Sequence, residues 1–282
     1  MNGSGAGRSA RTLALALGGG GARGLAHVAV LEALDDLGVR PAAIAGASIG
    51  AAIGAAYAAG LTGKAIRRHV TALAHGRGET LGRLLGARAT TFSSLIAAPF
   101  GNPVLLDAEK VTAAFLPAAV PDDFAQLAIP LIVPATDLYG RCEVAFTSGP
   151  LKLAVAASMA VPGLVRPVEH EGRVLVDGAA VNPLPFDHLR GRADIVLAVD
   201  SNVGPTAPRG LPDPWESLFA TLQVMSHTIV AEKLKHGAPD ILIRPDVGAF
   251  RLLDFFQASA ILRAAEPLKA QVKERVGELI DL

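Results

Sequence analysis

Cysteine is nearly absent from the chain: Cys142 stands alone among 282 residues, so no intrachain disulfide can form. That fits a reducing compartment, and a lone thiol in an apolar chain reads as buried filler rather than as a nucleophile. An excess of charge is absent too. Lys plus Arg number 26 and Asp plus Glu number 26, which leaves no basic footprint for nucleic acid. Aromatic residues make up only 5 %, while 51 % of the chain is apolar and 30 residues are glycine. Such a composition builds closely packed helices on a sheet and argues against disorder beyond the ends. A membrane span is missing as well. The uncharged run "PAAIAGASIGAAIGAAYAAGLTG", Pro41 to Gly63, is long enough to cross, but a turn signal at Gly46 to Ser48 divides it. What remains is a short strand and a helix of about twelve residues, too short to span. The opening residues superficially resemble a signal peptide, with Arg8 and Arg11 ahead of "LALAL". The apolar run there is about six residues, short of the ~7–15 of a signal core. Residues 1–10 are therefore expected to form a flexible leader, and the protein to be cytoplasmic.

What is present is alternation. Strands "TLALALG" and "PAAIAG" alternate with helices at 24–37 and 49–59, followed by a helical stretch at 64–75. Residues 76–106, punctuated by glycine and proline around "FSSLIAAPF", read either as a surface excursion or as an apolar lid. Further strands follow at "AIPLIVPATDL", "CEVAFTS", "RVLVDG", "ADIVLAVDS" and "DILIRPD". Helices fall near 108–115, 151–158 and 215–236, with a last one from Phe255 to the C-terminus. The pattern predicts a three-layer α/β fold over residues 11–282, a single domain whose mostly parallel central sheet carries helices on both faces.

The stretch Gly19 to Gly24 satisfies G-x-G-x-x-G between a strand and a helix. A dinucleotide site would also need an acid at the end of the second strand for the ribose. No acidic residue lies between Asp36 and Glu79, and no Gly-Lys-Ser/Thr phosphate loop follows the glycines. The second strand ends instead in "GASIG", Gly46 to Gly50. That is the G-x-S-x-G turn, in which small residues let a strained backbone raise a serine hydroxyl above the sheet. Ser48 is then a nucleophile candidate at a helix N-terminus, with a second set of N–H groups supplied by the glycine loop. Together they describe an oxyanion hole.

Such a serine needs a base. None of the seven histidines sits in a compact loop suited to present one: His27 lies within the first helix, and the rest fall in polar or late helical stretches and a charged turn. The best carboxylate is Asp177, directly after "RVLV" and before Gly178. It stands at the carboxyl end of a strand, where α/β sheets place their sites.

Four blocks, "GGGGARG" followed by "LAHVAVLEAL", "GASIGAAIGAAYAAG", "AVAASMAVPGLVRPV" and "LVDGAAVNPLP", together resemble the patatin-like phospholipase family. Weaker likeness in "ADIVLAVDS" and "DILIRPDVGAF" extends it over most of residues 13–270. The resemblance implies a serine lipid acyl hydrolase of phospholipase A or lysophospholipase type, with a Ser-Asp dyad and no catalytic histidine. It assigns Ser48 as nucleophile, Asp177 as general base and the N–H groups around Gly19, Gly20 and Gly21 as the oxyanion hole. Arg23 and Gly24 would support the glycine loop, with Arg23 holding the loop or a phosphate, and Gly46 and Gly50 would frame the elbow. Gly178 and Ala179 complete an Asp-Gly-Ala where the family commonly has Asp-Gly-Gly. Ser158, within Ser-Met-Ala-Val-Pro, would line the cavity. No metal or organic cofactor is implied, and the partner is a lipid or ester substrate met in solution or at a membrane surface. An esterase, thioesterase or acyltransferase with the same dyad remains open, as does a nucleotide- or phosphate-binding module without catalysis.

Overall fold

The computed structural model describes residues 11–76, 106–203, 210–212 and 214–280. The expected leader, and the 76–106 excursion between its two end residues, lie outside them. In chain order the first described elements are β1 (Leu13–Leu17), α1 (His27–Asp36), β2 (Ala43–Gly46), α2 (Ile49–Ala58) and α3 (Gly63–Gly76). Then come α4 (Ala108–Phe115), β3 (Leu131–Asp137), β4 (Cys142–Phe146), α5 (Leu151–Ser158), β5 (Val168–His170) and β6 (Arg173–Val176). The chain continues through β7 (Ile195–Val199), α6 (Pro214–Lys235), β8 (Ile241–Ile243), α7 (Ala258–Ala264) and α8 (Leu268–Ile280).

The sheet runs β5-β6-β3-β2-β1-β7-β8, with β4 paired to β3 off this path. β1 lies at its heart, parallel to β2 on one side and to β7 on the other. Every residue of β1 is buried, which is why its sequence is a continuous apolar run rather than an alternation. Side-chain size alternates instead. Leu13, Leu15 and Leu17 enter the larger core against α1, α2, α7 and α8, while Ala14 and Ala16 meet Phe186, Leu189 and Val230 of α6 on the other face. A strand's two faces thus receive two different layers from one five-residue stretch.

The uncharged run from Pro41 resolves into β2 and α2, and all ten residues of α2 are buried. A helix apolar all round belongs in a core, and among the described residues no helix is long and apolar enough to cross a membrane. α4 opens on Asp107, whose carboxylate accepts from the Lys110 N–H, a side-chain cap for an otherwise orphan donor.

The expected α/β fold with a mostly parallel sheet is found, and two smaller expectations, the unbroken last helix and a buried Cys142, need correction. The antiparallel pairs lie at one side of the sheet, where β4 and β6 run antiparallel to β3, and β5 antiparallel to β6. The β5–β6 hairpin turns at Glu171 and Gly172, both at positive φ, the two-residue geometry that matches strand twist. Glu-Gly signals that turn less clearly than Asn-Gly does, so the sequence marks β5 only weakly. The last helix is broken into α7 and α8 around Pro267, whose ring disfavours helical geometry in the residue before it. Cys142 is exposed rather than buried, because β4 hangs on β3 outside the main run of strands.

Candidate active site

β2 ends at Gly46 and the chain turns sharply into α2. Ser48 occupies the corner with φ 54° and ψ −124°, a conformation that costs a non-glycine residue on the order of 1–3 kcal/mol and persists only when the surroundings impose it. Three contacts do so. The Ser48 N–H donates to Ser158 Oγ at 2.9 Å, and the Ala47 N–H donates to the Leu17 carbonyl at 3.1 Å. At Gly50 a Cβ would overlap the Leu17 and Gly18 carbonyls, so only glycine lets α2 start this close to the end of β1.

The hydroxyl so presented donates from Ser48 Oγ to Asp177 Oδ2 at 2.7 Å. Asp177 is fixed from every side. Its N–H donates to the Ala160 carbonyl at 3.0 Å, and its carbonyl accepts from Thr136 Oγ1 at 2.8 Å. Its Oδ1 accepts from the Ala179 N–H at 2.8 Å. Only 6 % of the residue is exposed. Burial pushes its carboxyl up to about 6, against the hydrogen bonds from Ser48 and Ala179, which favour the ion. The carboxylate is therefore mostly ionised at neutral pH yet more basic than one in water.

Asp177 arrives by a route other than the one expected. It follows β6, which runs against β3, so the carboxyl-end rule for parallel strands does not account for it. On β3, β6 pairs with only Thr136 and Asp137, the last two residues of that strand. The chain then turns at Gly178, where a Cβ would collide with the Pro134 carbonyl and come within 3.0 Å of Ser158 Oγ. Ser158, read from sequence only as a helix residue before a proline and placed at the cavity by resemblance, thus touches both the elbow and the Asp177 turn.

The glycine loop lies beside them. Gly18 donates to the Val199 carbonyl and Gly19 to the Pro183 carbonyl, each at 2.9 Å. The Gly18 carbonyl accepts from His27 Nε2 at 2.8 Å, and the Gly19 carbonyl accepts from Ser201 Oγ at 2.9 Å. A trans peptide directs its N–H opposite to its C=O, so Ser201 turns the Gly20 N–H away from itself. The Gly19 N–H is already engaged, whereas those of Gly20 and Gly21 have no acceptor among the described residues. Gly20 itself, at φ 155°, could carry no Cβ without striking Ser201.

His27 is wholly buried and pushed down to about 4 by that burial. It holds the loop as a neutral ring with Nε2 protonated, and its Nδ1 has no partner among the described residues. Arg23 is 1 % exposed, and its Nε and Nη2 have no partner among the described residues. Desolvation pushes it down to about 10, opposed by the charge of Asp254. It lies beneath the loop and does not line the cavity, and Gly24 next to it abuts Ile49. Neither Ser201 nor His27 was assigned a role from sequence. The one available signal was that "AVDS" ends a strand beside β1, at the level of the glycines.

Ser48, Asp177 and Gly19–Gly21 line a cavity of about 600 Å³. Its walls are mostly apolar, with Val111 and Phe115 from α4, Leu164 and Val165 after α5, and Phe219 and Leu222 from α6. No described histidine lines it, and the described residues hold no cluster of His, Cys, Asp and Glu suited to a metal ion. A hydroxyl hydrogen-bonded to a basic carboxylate, beside two unpaired N–H groups in an apolar cleft, can attack an ester carbonyl and hold the resulting oxyanion.

The family model described as Patatin-like phospholipase matches residues 15–190. An uncharacterised NTE family protein of Mycobacterium tuberculosis (strain ATCC 25618 / H37Rv) is 36 % identical over 209 residues, covering 74 % of this chain and 54 % of that protein. Lysophospholipase NTE1 of Yarrowia lipolytica is 28 % identical over 280 residues, 90 % of this chain but 19 % of the relative. The chain thus spans about half the length of the mycobacterial relative and about a fifth of the yeast one. Among solved structures, VipD from Legionella pneumophila superposes with a TM-score of 0.51 at 14 % identity, over 94 % of this chain and 67 % of that one. At that identity the likeness speaks for the fold.

Proposed function

The chain belongs to the patatin-like phospholipase family, and from that premise we propose that it is a serine lipid acyl hydrolase working through Ser48 and Asp177. The observation that carries the reading is the 2.7 Å hydrogen bond from Ser48 Oγ to Asp177 Oδ2 at the wall of an apolar cavity. Asp177 accepts the hydroxyl proton as Ser48 Oγ attacks the ester carbonyl carbon. The Gly20 and Gly21 N–H groups and the N-terminus of α2 stabilise the oxyanion, each donor contributing about 3–4 kcal/mol to transition-state binding. Collapse of the tetrahedral intermediate expels the alcohol, which takes the proton from Asp177, and leaves an acyl-serine. Water, deprotonated by the same carboxylate, then releases the fatty acid and restores Ser48. Gly19 shapes the loop in this scheme, its N–H being committed to Pro183. Met225 and Phe256 line the cavity while 57 % and 55 % exposed, an apolar rim that suits delivery of substrate from a lipid surface.

Intact-mass spectrometry after a fluorophosphonate probe tests the assignment. Wild type should gain one adduct, Ser48→Ala none, and Asp177→Asn should react far more slowly. A folded wild-type protein that takes no label would defeat it.

A further inference from the structure

The turn that carries Asp177 has little sheet behind it. β6 meets β3 at two residue pairs only, Thr136 with Val176 and Asp137 with Leu175, and the chain leaves the ladder at Asp177. Beside this turn a group of polar side chains converges from four segments: Glu143 of β4, Asn182, Asp187 with His188, and Lys233 of α6. None of them lines the cavity. The geometry points to Asn182, at the centre of this group, as a positioning residue that holds the Asp177 carboxylate in register with Ser48. This rests on the acyl-hydrolase reading above.

Asn182 is buried and acts through both its backbone and its side chain. Its N–H donates to the Gly178 carbonyl at 2.9 Å, which closes the turn one residue beyond Asp177. Its Nδ2 donates to Glu143 Oε1 and Oε2 at 3.2 and 3.3 Å, and to Asp187 Oδ1 at 3.2 Å. Glu143 stands opposite Thr136 in the β3–β4 ladder, so the two side chains share one face of the sheet. Thr136 Oγ1 in turn donates to the Asp177 carbonyl at 2.8 Å. A closed circuit therefore leads from Asp177 through Gly178, Asn182, Glu143 and Thr136 back to Asp177. It supplies the support that a ladder of two pairs lacks.

The pattern of charge explains why an asparagine stands here. Its amide hydrogens face two carboxylates, while its Oδ1 accepts from Lys233 Nζ. The same ammonium donates to the Leu184 carbonyl at 3.1 Å, pairs with Asp187 and lies 5.1 Å from the centre of the Phe186 ring. His188 Nε2 meets Glu143 Oε1 at 2.6 Å and fixes that carboxylate from its other side. A short neutral amide, donor at one end and acceptor at the other, fits between two acids and a cation. An aspartate would set a third carboxylate against Glu143 and Asp187 with no hydrogen to offer them. Lys233 also ties this circuit to α6, which lays Phe219, Leu222 and Gln223 along the cavity. There Asn202, just beyond β7, donates to the Gln223 carbonyl at 3.4 Å. The turn of the base and this wall are thus referred to one amide.

The test measures kcat and KM on a soluble nitrophenyl acyl ester for wild type, Asn182→Asp and the exchange variant Asn182→Asp/Glu143→Gln. Circular dichroism first shows each to be folded at the assay temperature. Asn182→Asp is expected to lose at least about tenfold in kcat at nearly constant KM, the scale on which a small displacement of a catalytic group acts. The exchange variant again sets one amide against one acid across the same gap, and should recover kcat to within about threefold of wild type. A merely structural role would lower the melting temperature and leave kcat of the folded protein alone. The assignment is overturned if Asn182→Asp keeps the wild-type kcat, or if the exchange variant is no faster than the single one. Should Asn182→Asp not fold, Glu143→Ala carries the test: it removes the acceptor on β4 and must lower kcat at least about threefold, an equal kcat overturning the assignment. A wild type that leaves the ester intact brings down the hydrolase reading and the positioning role with it, whereas an active wild type matched by its variants brings down the positioning role alone.

Discussion

Ser48 and Asp177, 129 positions apart in the chain, meet Oγ to Oδ2 at 2.7 Å with no histidine between them. The acid must be ionised to accept the proton, and burial pushes its carboxyl up to about 6. Initial rates on a soluble acyl ester should therefore rise about tenfold per pH step below that value and level off above it. A profile flat from pH 5 to 7.5 would remove Asp177 as the base.

Asp177→Asn should abolish turnover and stabilise the fold. An acid whose pKa is raised on folding contributes most when protonated, below its unfolded value of 3.8, and that contribution is lost as pH rises through about 6. The gap is worth roughly 3 kcal/mol at neutral pH. Asparagine keeps both hydrogen-bond positions without the charge. Its variant should gain on wild type in denaturant midpoint at pH 8 and lose the advantage at pH 4.

Two buried hydroxyls set geometry without meeting substrate. Ser158→Ala leaves the Ser48 N–H without its acceptor, and Ser201→Ala releases the Gly19 carbonyl. Each should cost about 1–3 kcal/mol in stability. Each should also lower kcat roughly tenfold at nearly constant KM, since the loss appears in the transition state. Equal kcat in either variant would show that the corresponding bond is idle.

His27 governs acid sensitivity. Its native pKa, about 4, lies below the ordinary 6.5. The neutral ring stabilises the fold above 6.5, and that stability is lost as pH falls through 6.5 toward 4, on a scale of roughly 3 kcal/mol. Asp177 works in the opposite direction over part of this range, so the comparison must be internal. Chemical denaturation of His27→Gln should show a smaller loss between pH 7 and pH 4.5 than wild type, and equal losses would refute the assignment.

The exposed rim has a kinetic signature. Met225→Asp and Phe256→Asp should reduce turnover of micellar lipid at least tenfold while sparing a monomeric short-chain ester, because a charge at a lipid surface carries a desolvation penalty. Parallel losses on both substrates would place these residues in general packing.

Much of this was legible in the residues. β1 and β2 appear as unbroken apolar runs, and Gly46, Ser48 and Gly50 mark the elbow because only small residues permit that crossing. What stayed hidden depends on tertiary approach. The antiparallel β5–β6 hairpin carries a weak turn signal at Glu171-Gly172, so the strand that delivers Asp177 looked parallel. Exposure of Cys142 follows from strand order, which no local pattern encodes. The roles of Ser158 and Ser201 depend on which backbone atom each faces across the sheet. A serine that ends a helix and one that ends a strand look alike until the Ser48 N–H and the Gly19 carbonyl are in place. The lining by Asn202 and Gln223 likewise needed α6 laid against β7.

The Leu17 carbonyl accepts from Ala47, Gly50 packs on Leu17 and Gly18, and the glycine loop is the direct continuation of the same strand. The attacking oxygen and the groups that receive its charge are thus gauged from one strand end, like two tools clamped in a single jig. Flexing of the sheet carries both together and leaves their spacing intact, whereas Asp177, mounted on a separate hairpin, is held to that jig by its own bonds with Ser48, Ala160, Thr136 and Ala179.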